Sequence, residues 1–278
     1  MKRSKQLFFI LLVTQCFALA GRGQTAKKTA FEKGSMYFYW GWNRSYYSPS
    51  TLHFMGNNYD FTLYDVVAVD RQSPFSADLY LNPKRMTIPQ YNFRIGYYFK
   101  NDLQISFGVD HMKYVMLHDQ PTTMNGYIYN SGTSYDGVYN DQDFTIAQDF
   151  LKFEHTDGLN YINSELRKSI SLYSRKYFQT TFLFGGGLGM MLPKTNTTLL
   201  NNPRYDAFHI SGYGVDGLAA LQLNFFKYFF IQGECKVGFI HMPDIRTTMN
   251  ASDKASQMFI YNQFNVNFGA QFPVTKKK

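Results

Sequence analysis

The chain has 278 residues, with 28 Lys+Arg against 20 Asp+Glu for a formal charge of +8, two cysteines and an aromatic content of 18%. So aromatic a composition excludes a disordered chain, two cysteines exclude a disulfide scaffold, and outside the first twenty residues no apolar run reaches the roughly 18 residues that mark a membrane-spanning helix. Charged residues make up only 17%, below the roughly 25% of soluble domains, yet the mean hydropathy is slightly negative, which points to segments that are apolar on one side and polar on the other at short period.

At the N-terminus, Lys2, Arg3 and Lys5 precede an apolar stretch from Leu7 to Leu19, and Ala18-Leu19-Ala20 has the small-x-small pattern of a cleavage site. Together they read as a secretory signal peptide over residues 1–20. Gln15 stands before Cys16 where a lipobox has a small residue, so acylation there is not expected. Cleavage removes three basic residues and no acidic ones, which lowers the charge to +5, and three of the remaining positives sit at Lys276–Lys278. The basic pI therefore does not point to nucleic acid. Cys235 is left without a disulfide partner.

From residue 30 onward the dominant signal is period-2 alternation. In 89–99, Tyr91, Phe93, Ile95, Tyr97 and Phe99 share one face, and Gln90, Asn92, Arg94 and Gly96 the other. In 102–110, Leu103, Ile105, Phe107 and Val109 oppose Gln104, Ser106, Gly108 and Asp110. Segments 213–225 and 229–239 alternate in the same way. In the last segment the even positions run Met258, Ile260, Asn262, Phe264, Val266, Phe268, Ala270, Phe272, and the odd face turns polar after Phe259 and Tyr261. Less regular strands are expected at 35–44, 148–173 (with a bulge near Gly158) and 177–192.

These segments exceed the 5–6 residues of soluble strands and reach the roughly 9–11 that cross a bilayer at a tilt. Their polar faces carry Gly, Gln and Asn instead of the Lys and Glu of a solvated sheet. The expected arrangement is inverted, with aromatics outward to lipid and small or polar groups inward. Tight connections at Lys100-Asn101, Ser174–Lys176 and Lys227 alternate with long ones at about 45–87, 118–147, 193–207 and 244–256. Strands at 35–44, 88–99, 102–117, 148–173, 177–192, 208–226, 228–243 and 257–272 make eight, with both termini on the short-turn side. Tyr59 to Val69 alternates weakly. It reads as a hairpin in the first long connection, as a plug, or as part of two more wall strands, which would make ten.

This whole pattern resembles the outer-membrane β-barrel superfamily of Gram-negative bacteria, and in size its small OmpA/OmpW-like group. The resemblance implies an all-β, transmembrane antiparallel up-and-down barrel over 35–272. It would follow a 21–34 periplasmic stretch, end in a basic 273–278 tail, and sit in the outer membrane after export through the Sec pathway. Implied partners are outer-membrane lipid, lipopolysaccharide and the barrel-assembly machinery, with no nucleic acid and no cofactor. The six residues after Phe272 depart from the superfamily, whose chains commonly end on the terminal aromatic.

With polar faces inward, the lumen is expected to gather Arg94, Asp110, His155, Asp157, Glu165, Arg167, Asp216, Glu234 and Lys236. Either these form a structural network that fills the barrel or they line a ligand site or a narrow channel. Glu154-His155-Thr156-Asp157-Gly158-Leu159-Asn160 resembles the His-x-Ser-Asn segment of outer-membrane acyl hydrolases. The serine position holds Asp157, so hydrolysis at His155 would need another hydroxyl, Ser164 or Thr156, brought beside it. Glu154, Asp157 and Asn160 are alternatively oxygen ligands for a divalent cation bridging to lipopolysaccharide. No His/Cys spacing marks a resident metal. The aromatic cluster Tyr37, Phe38, Tyr39, Trp40, Trp42, Tyr46, Tyr47 reads as an interfacial girdle. The leading functional expectation is a structural, surface-interaction or small-ligand barrel and not an enzyme.

Overall fold

The computed structural model describes residues 31–200 and 202–274. The signal peptide, most of the 21–34 stretch and residues 275–278 of the tail lie outside the described residues. From its start, β1 spans Ser35–Tyr47. The first long connection holds β2 (Ser50–Met55), β3 (Tyr59–Val66), β4 (Ala68–Val69) and a short helix, α1 (Ala77–Leu81). Then come β5 (Tyr91–Lys100) and β6 (Leu103–Met116), and the second long connection carries β7 (Gln120–Ile128) and β8 (Gly137–Ile146). The chain continues with β9 (Leu151–Ser174), β10 (Phe178–Leu199), β11 (Tyr205–Phe208), β12 (Gly212–Phe225), β13 (Phe229–Arg246) and β14 (Lys254–Pro273).

Eight of these form a closed antiparallel ring in the order β1-β5-β6-β9-β10-β12-β13-β14, and β14 returns to β1 along thirteen pairs from Ser35↔Pro273 to Tyr47↔Tyr261. Closure leaves no free edge through the wall. The three tight turns and the first and last described residues, Phe31 and Val274, lie at one rim. In the turn from β12 to β13, Phe226 and Lys227 both have positive φ, 52° and 71°, the signature of a type I′ hairpin turn, whose twist suits paired strands. The segment 59–69, open in the sequence, is not in the wall: it folds as β3 and β4 inside the first long connection.

The face expected to point outward does so in the lower barrel. Phe93, Ile95, Ile105, Phe107, Leu221, Ile231, Val237, Phe264, Val266, Phe268 and Phe272 are all exposed on the outside, while Arg94, Gln104, Gln222, Gln232, Asn265 and Asn267 are buried inside. The aromatic cluster of β1 is divided by the same alternation. Tyr37 and Tyr39 point into the barrel, at 5% and 1% exposure, because consecutive strand residues cannot share a face. Phe38, Trp40 and Trp42 stay outside, with Trp40 stacked on Tyr91 at 4.5 Å and Trp42 against Phe268 and Tyr80.

At the end opposite the termini the inward face reverses character. β14 exchanges its partner there: above Tyr261 it leaves β1, and Lys254–Met258 pair with β2. The sheet then runs β2-β3-β7-β8, so two hairpins from different connections fold together as one cap. Phe54, Phe61, Phe150, Phe153, Tyr114, Tyr161 and Phe259 are buried in one core between this cap and the upper wall. Phe54 stacks on Phe61 at 5.2 Å and meets Phe153 at 5.7 Å. At this end the cap supplies an apolar partner on the inside, and each side chain buried against it is worth about 1.5–3 kcal/mol. The β9 bulge falls at the changeover. Its pairing to β6 slips between Met112 and Tyr114, and Gly158 adopts φ 139°, a conformation that only glycine takes without strain.

Candidate functional site

Six of the expected lumen residues meet in a single cluster. Arg94 (β5), Asp110 (β6), Glu165 and Arg167 (β9), and Glu234 and Lys236 (β13) all stand on inward positions, none more than 4% exposed. Glu165 is the hub: it pairs with Arg94 at 2.8 Å, Arg167 at 2.5 Å and Lys236 at 2.8 Å. Arg167 also reaches Glu234 at 2.8 Å, and Lys236 reaches Asp110 at 2.5 Å. Three cations thus face three carboxylates, and the cluster is neutral. Neutrality and multiple partners are what allow it, since an uncompensated buried charge costs several kcal/mol.

Neutral side chains complete the network, among them Tyr39, which the sequence reading assigns to an interfacial girdle. The Tyr39 hydroxyl accepts from Arg94 Nε at 3.0 Å and Arg167 Nη2 at 3.1 Å. Asn163 accepts from Arg94 at 2.6 Å and donates to Asp110 at 3.0 Å. Asn92 donates to Asp110, and Asn265 and Gln232 each donate to Glu234 at 2.9 Å. Their signal was inward parity: Tyr39 lies two residues from Tyr37 and Gly41 on the same side of β1. The glycine run of β10 has a related purpose. A side chain at Gly187 would begin 2.5 Å from Glu165 Cγ and 3.0 Å from Asp216 Oδ2, so the wall there is bare to admit the cluster. Nearer the termini, the space between Tyr37, Tyr98, Gln104, Arg167, Leu183 and Gln222 does not admit a water molecule.

The other three expected lumen residues stand elsewhere. Asp216 lies on the cap side of the cluster, where it accepts from the Tyr161 hydroxyl at 2.9 Å. His155 is fully buried in the apolar cap, against Phe153 and Tyr114. Its Nδ1 lies 2.9 Å from Thr195 Oγ1 and its Nε2 3.4 Å from Gln257. A hydroxyl is therefore beside His155, on Thr195 and not on Ser164 or Thr156, but both are sealed from lipid and water. Burial pulls the imidazole down to about 4. Asp157 is not in the lumen: it projects outward from the bulge and pairs with Lys194 at 3.0 Å. Glu154 faces Arg71 at 3.2 Å and accepts from Asn196 at 2.6 Å. Asp157 and Glu154 are thus each met by a cationic side chain of the chain itself, and among the described residues no group of three or more His, Cys, Asp or Glu is placed to hold a metal.

No family model matches the chain, and no curated protein matches it. Solved structures similar to it include Ail, the attachment invasion locus protein of Yersinia pestis, at 11% identity and a TM-score of 0.32, over 86% of this chain and 99% of that one. The outer membrane protein AlkL is similar at 10% identity and a TM-score of 0.39, over 93% and 99%. The outer membrane protein OprG from Pseudomonas aeruginosa is similar at 8% identity and a TM-score of 0.37, over 88% and 98%. The barrel itself is read from this chain's own strand pairing.

Proposed function

We propose that this chain is an outer-membrane β-barrel with a closed lumen that presents a folded cap at the cell surface, in a structural or surface-interaction role. The observation that carries this reading is the exposed apolar belt around a ring whose interior is polar. On β14 the belt runs over the alternate residues Phe264, Val266, Phe268, Ala270 and Phe272. At about 3.4 Å per residue and a tilt of about 40° it is about 20 Å tall, close to the roughly 25 Å apolar band of outer-membrane barrels. Aromatics border it: Tyr173, Tyr177, Phe226 and Tyr228 at the tight-turn rim, and Trp42 and Tyr46 toward the cap. Arg44 stands beside Phe264 on the outside of β1. The segment with exposed Phe75, Leu81 and Ile88 packs there through Tyr80 on Trp42 and carries Lys84 and Arg85. Cations over exposed apolar groups at this height suit the phosphates and acyl chains of lipopolysaccharide. Export as a secreted precursor and insertion by the barrel-assembly machinery belong to the same proposal.

A channel would need water-sized space where the charge cluster stands, and a lipid hydrolase would need His155 at a lipid-facing surface; neither arrangement is present among the described residues. The test combines fractionation, gel migration with and without heating, and planar-bilayer recording. Expected results are recovery in the outer membrane, a heat-dependent band shift and no conductance steps. Recovery as a soluble periplasmic protein overturns the location, and stable conductance overturns the closed lumen.

A further inference from the structure

The cap has one open edge, and it belongs to β8. The strand pairs with β7 along one side, from Gln120↔Ile146 to Ile128↔Gly137, and with no described strand along the other. The reason is where β10 stops. β6 pairs with β9 and β7 with β8, so β8 stands above β9 in the sheet, while β10, the next strand across, has its last pair at Leu199↔Leu151. The edge runs for ten residues, longer than the roughly 5–6 of an ordinary strand. It is also held in place from its inner face. Phe144 packs on Phe150 of the cap core at 4.6 Å, Tyr135 on Phe150 at 4.9 Å, and Tyr139 on Phe144 at 5.8 Å. A row of unpaired backbone donors and acceptors fixed in this way is a template for one more strand, and its rigidity lowers the ordering cost of binding.

The charge along this edge selects what adds there. From 117 to 149 the chain carries five Asp and neither Lys nor Arg. Asp119, Asp136, Asp141, Asp143 and Asp149 are all exposed, and none forms an ion pair among the described residues. The groups that meet their carboxylates are neutral: Asn125 at Asp141 at 2.7 Å, the Ser131 N–H at Asp136 at 3.0 Å, and the Tyr135 hydroxyl at Asp149 at 2.8 Å. Two copies of β8 pairing edge to edge would bring Asp141 and Asp143 against the same residues of the second copy, and like charges across a strand pair repel. The edge also bulges at 140–141, opposite Asn125, where Asp141 holds φ 48°. A bulge adds local twist, which suits a single short strand more than a flat sheet. An incoming strand with Lys or Arg at alternate positions sets all its cations on one face, where they neutralise these carboxylates while its backbone fills the open row.

We infer that the open edge of β8 takes up an extended, basic segment of another protein as an added strand. The inference deepens the surface-interaction reading and rests on it for the location of the cap. Peptide binding and membrane recovery are separate measurements, so a failed edge leaves the barrel standing. The test uses the full chain in zwitterionic detergent micelles and three labelled peptides of about ten residues, the span of the open edge. In the first, Lys alternates with Val and Thr. The second has Glu for each Lys. The third keeps the lysines but is N-methylated throughout, which leaves the charge and removes the backbone donors. By fluorescence anisotropy the first is expected to bind, more weakly as salt rises, and the other two at least tenfold more weakly. Hydrogen exchange of the backbone amides in 137–145 should slow when the first peptide binds. Asp141→Asn combined with Asp143→Asn should weaken that peptide at least fivefold, with heat-dependent gel migration unchanged. No binding of the first peptide, equal binding of the N-methylated or the Glu peptide, unchanged exchange in 137–145, wild-type affinity in the double variant, or a dimer formed through β8 that excludes the peptide would each overturn the inference.

Discussion

Replacing Glu165 with Gln is the sharpest test of how the lumen is held together. The carboxylate receives three cations, at 2.8 Å from Arg94, 2.5 Å from Arg167 and 2.8 Å from Lys236. The substitution keeps shape and size but leaves three buried positives facing two negatives. Breaking a buried pair from one side costs about 3–5 kcal/mol. At about 2–4 °C per kcal/mol for chains of this size, the transition should fall by about 6–20 °C. The assay is the temperature at which the compact band on an unheated gel converts to the unfolded one, with circular dichroism as a second probe. Glu165→Gln combined with Lys236→Gln restores neutrality and should recover at least half the loss, as expected for groups in one network. A single variant that melts with the wild type, or a pair whose losses simply add, would refute the idea that charge balance governs the lumen.

Three further outcomes are expected. Val266→Arg, in the middle of the belt, should reduce folding into phosphatidylcholine vesicles by about 2–4 kcal/mol, against about 0–1 for Asn262→Arg near its upper border; equal effects would remove the bilayer from the explanation. Phe61→Ala should cost the cap about 3–5 kcal/mol, read as protease cleavage within 50–70 and 117–147 while the ring persists; simultaneous loss of ring and cap would make them one cooperative unit. His155 is neutral in the fold because burial lowers it from 6.5 to about 4, whereas once the cap opens it takes up a proton near pH 6.5. Cap stability is therefore complete above about pH 6.5 and declines as pH falls toward 4, by on the order of 3 kcal/mol. Proteolysis at pH 7 and pH 5 measures this, and His155→Gln should flatten the difference.

Most of the wall was legible because strand alternation is a local property. The eight wall segments read from the sequence overlap the eight ring strands throughout, and inward parity alone named six residues that meet in the cluster. The bulge was legible at Gly158 for the same reason. The cap was not legible, although β14 held a trace of it: Phe259 and Tyr261 are aromatics on the otherwise polar face. Taken as an irregularity, they are the first inward apolar layer above the belt. The weak alternation of 59–69 had the same origin, since β3 packs one face on that layer and has no lipid on the other.

By itself, the sequence determined the period, and with it which residues share a face and that the enclosed charges must pair; whether the wall has eight strands or ten was decided by the pairing of β2, β3 and β7 outside it. It could not determine what each face meets. His155 and Glu165 lie on one strand and both point inward, yet one stands in an apolar core and the other among three cations. That difference comes from two hairpins of separate connections pairing through β3 and β7 over His155's end of the strand. These are contacts between residues far apart in the chain, and a periodicity two residues long carries no record of them.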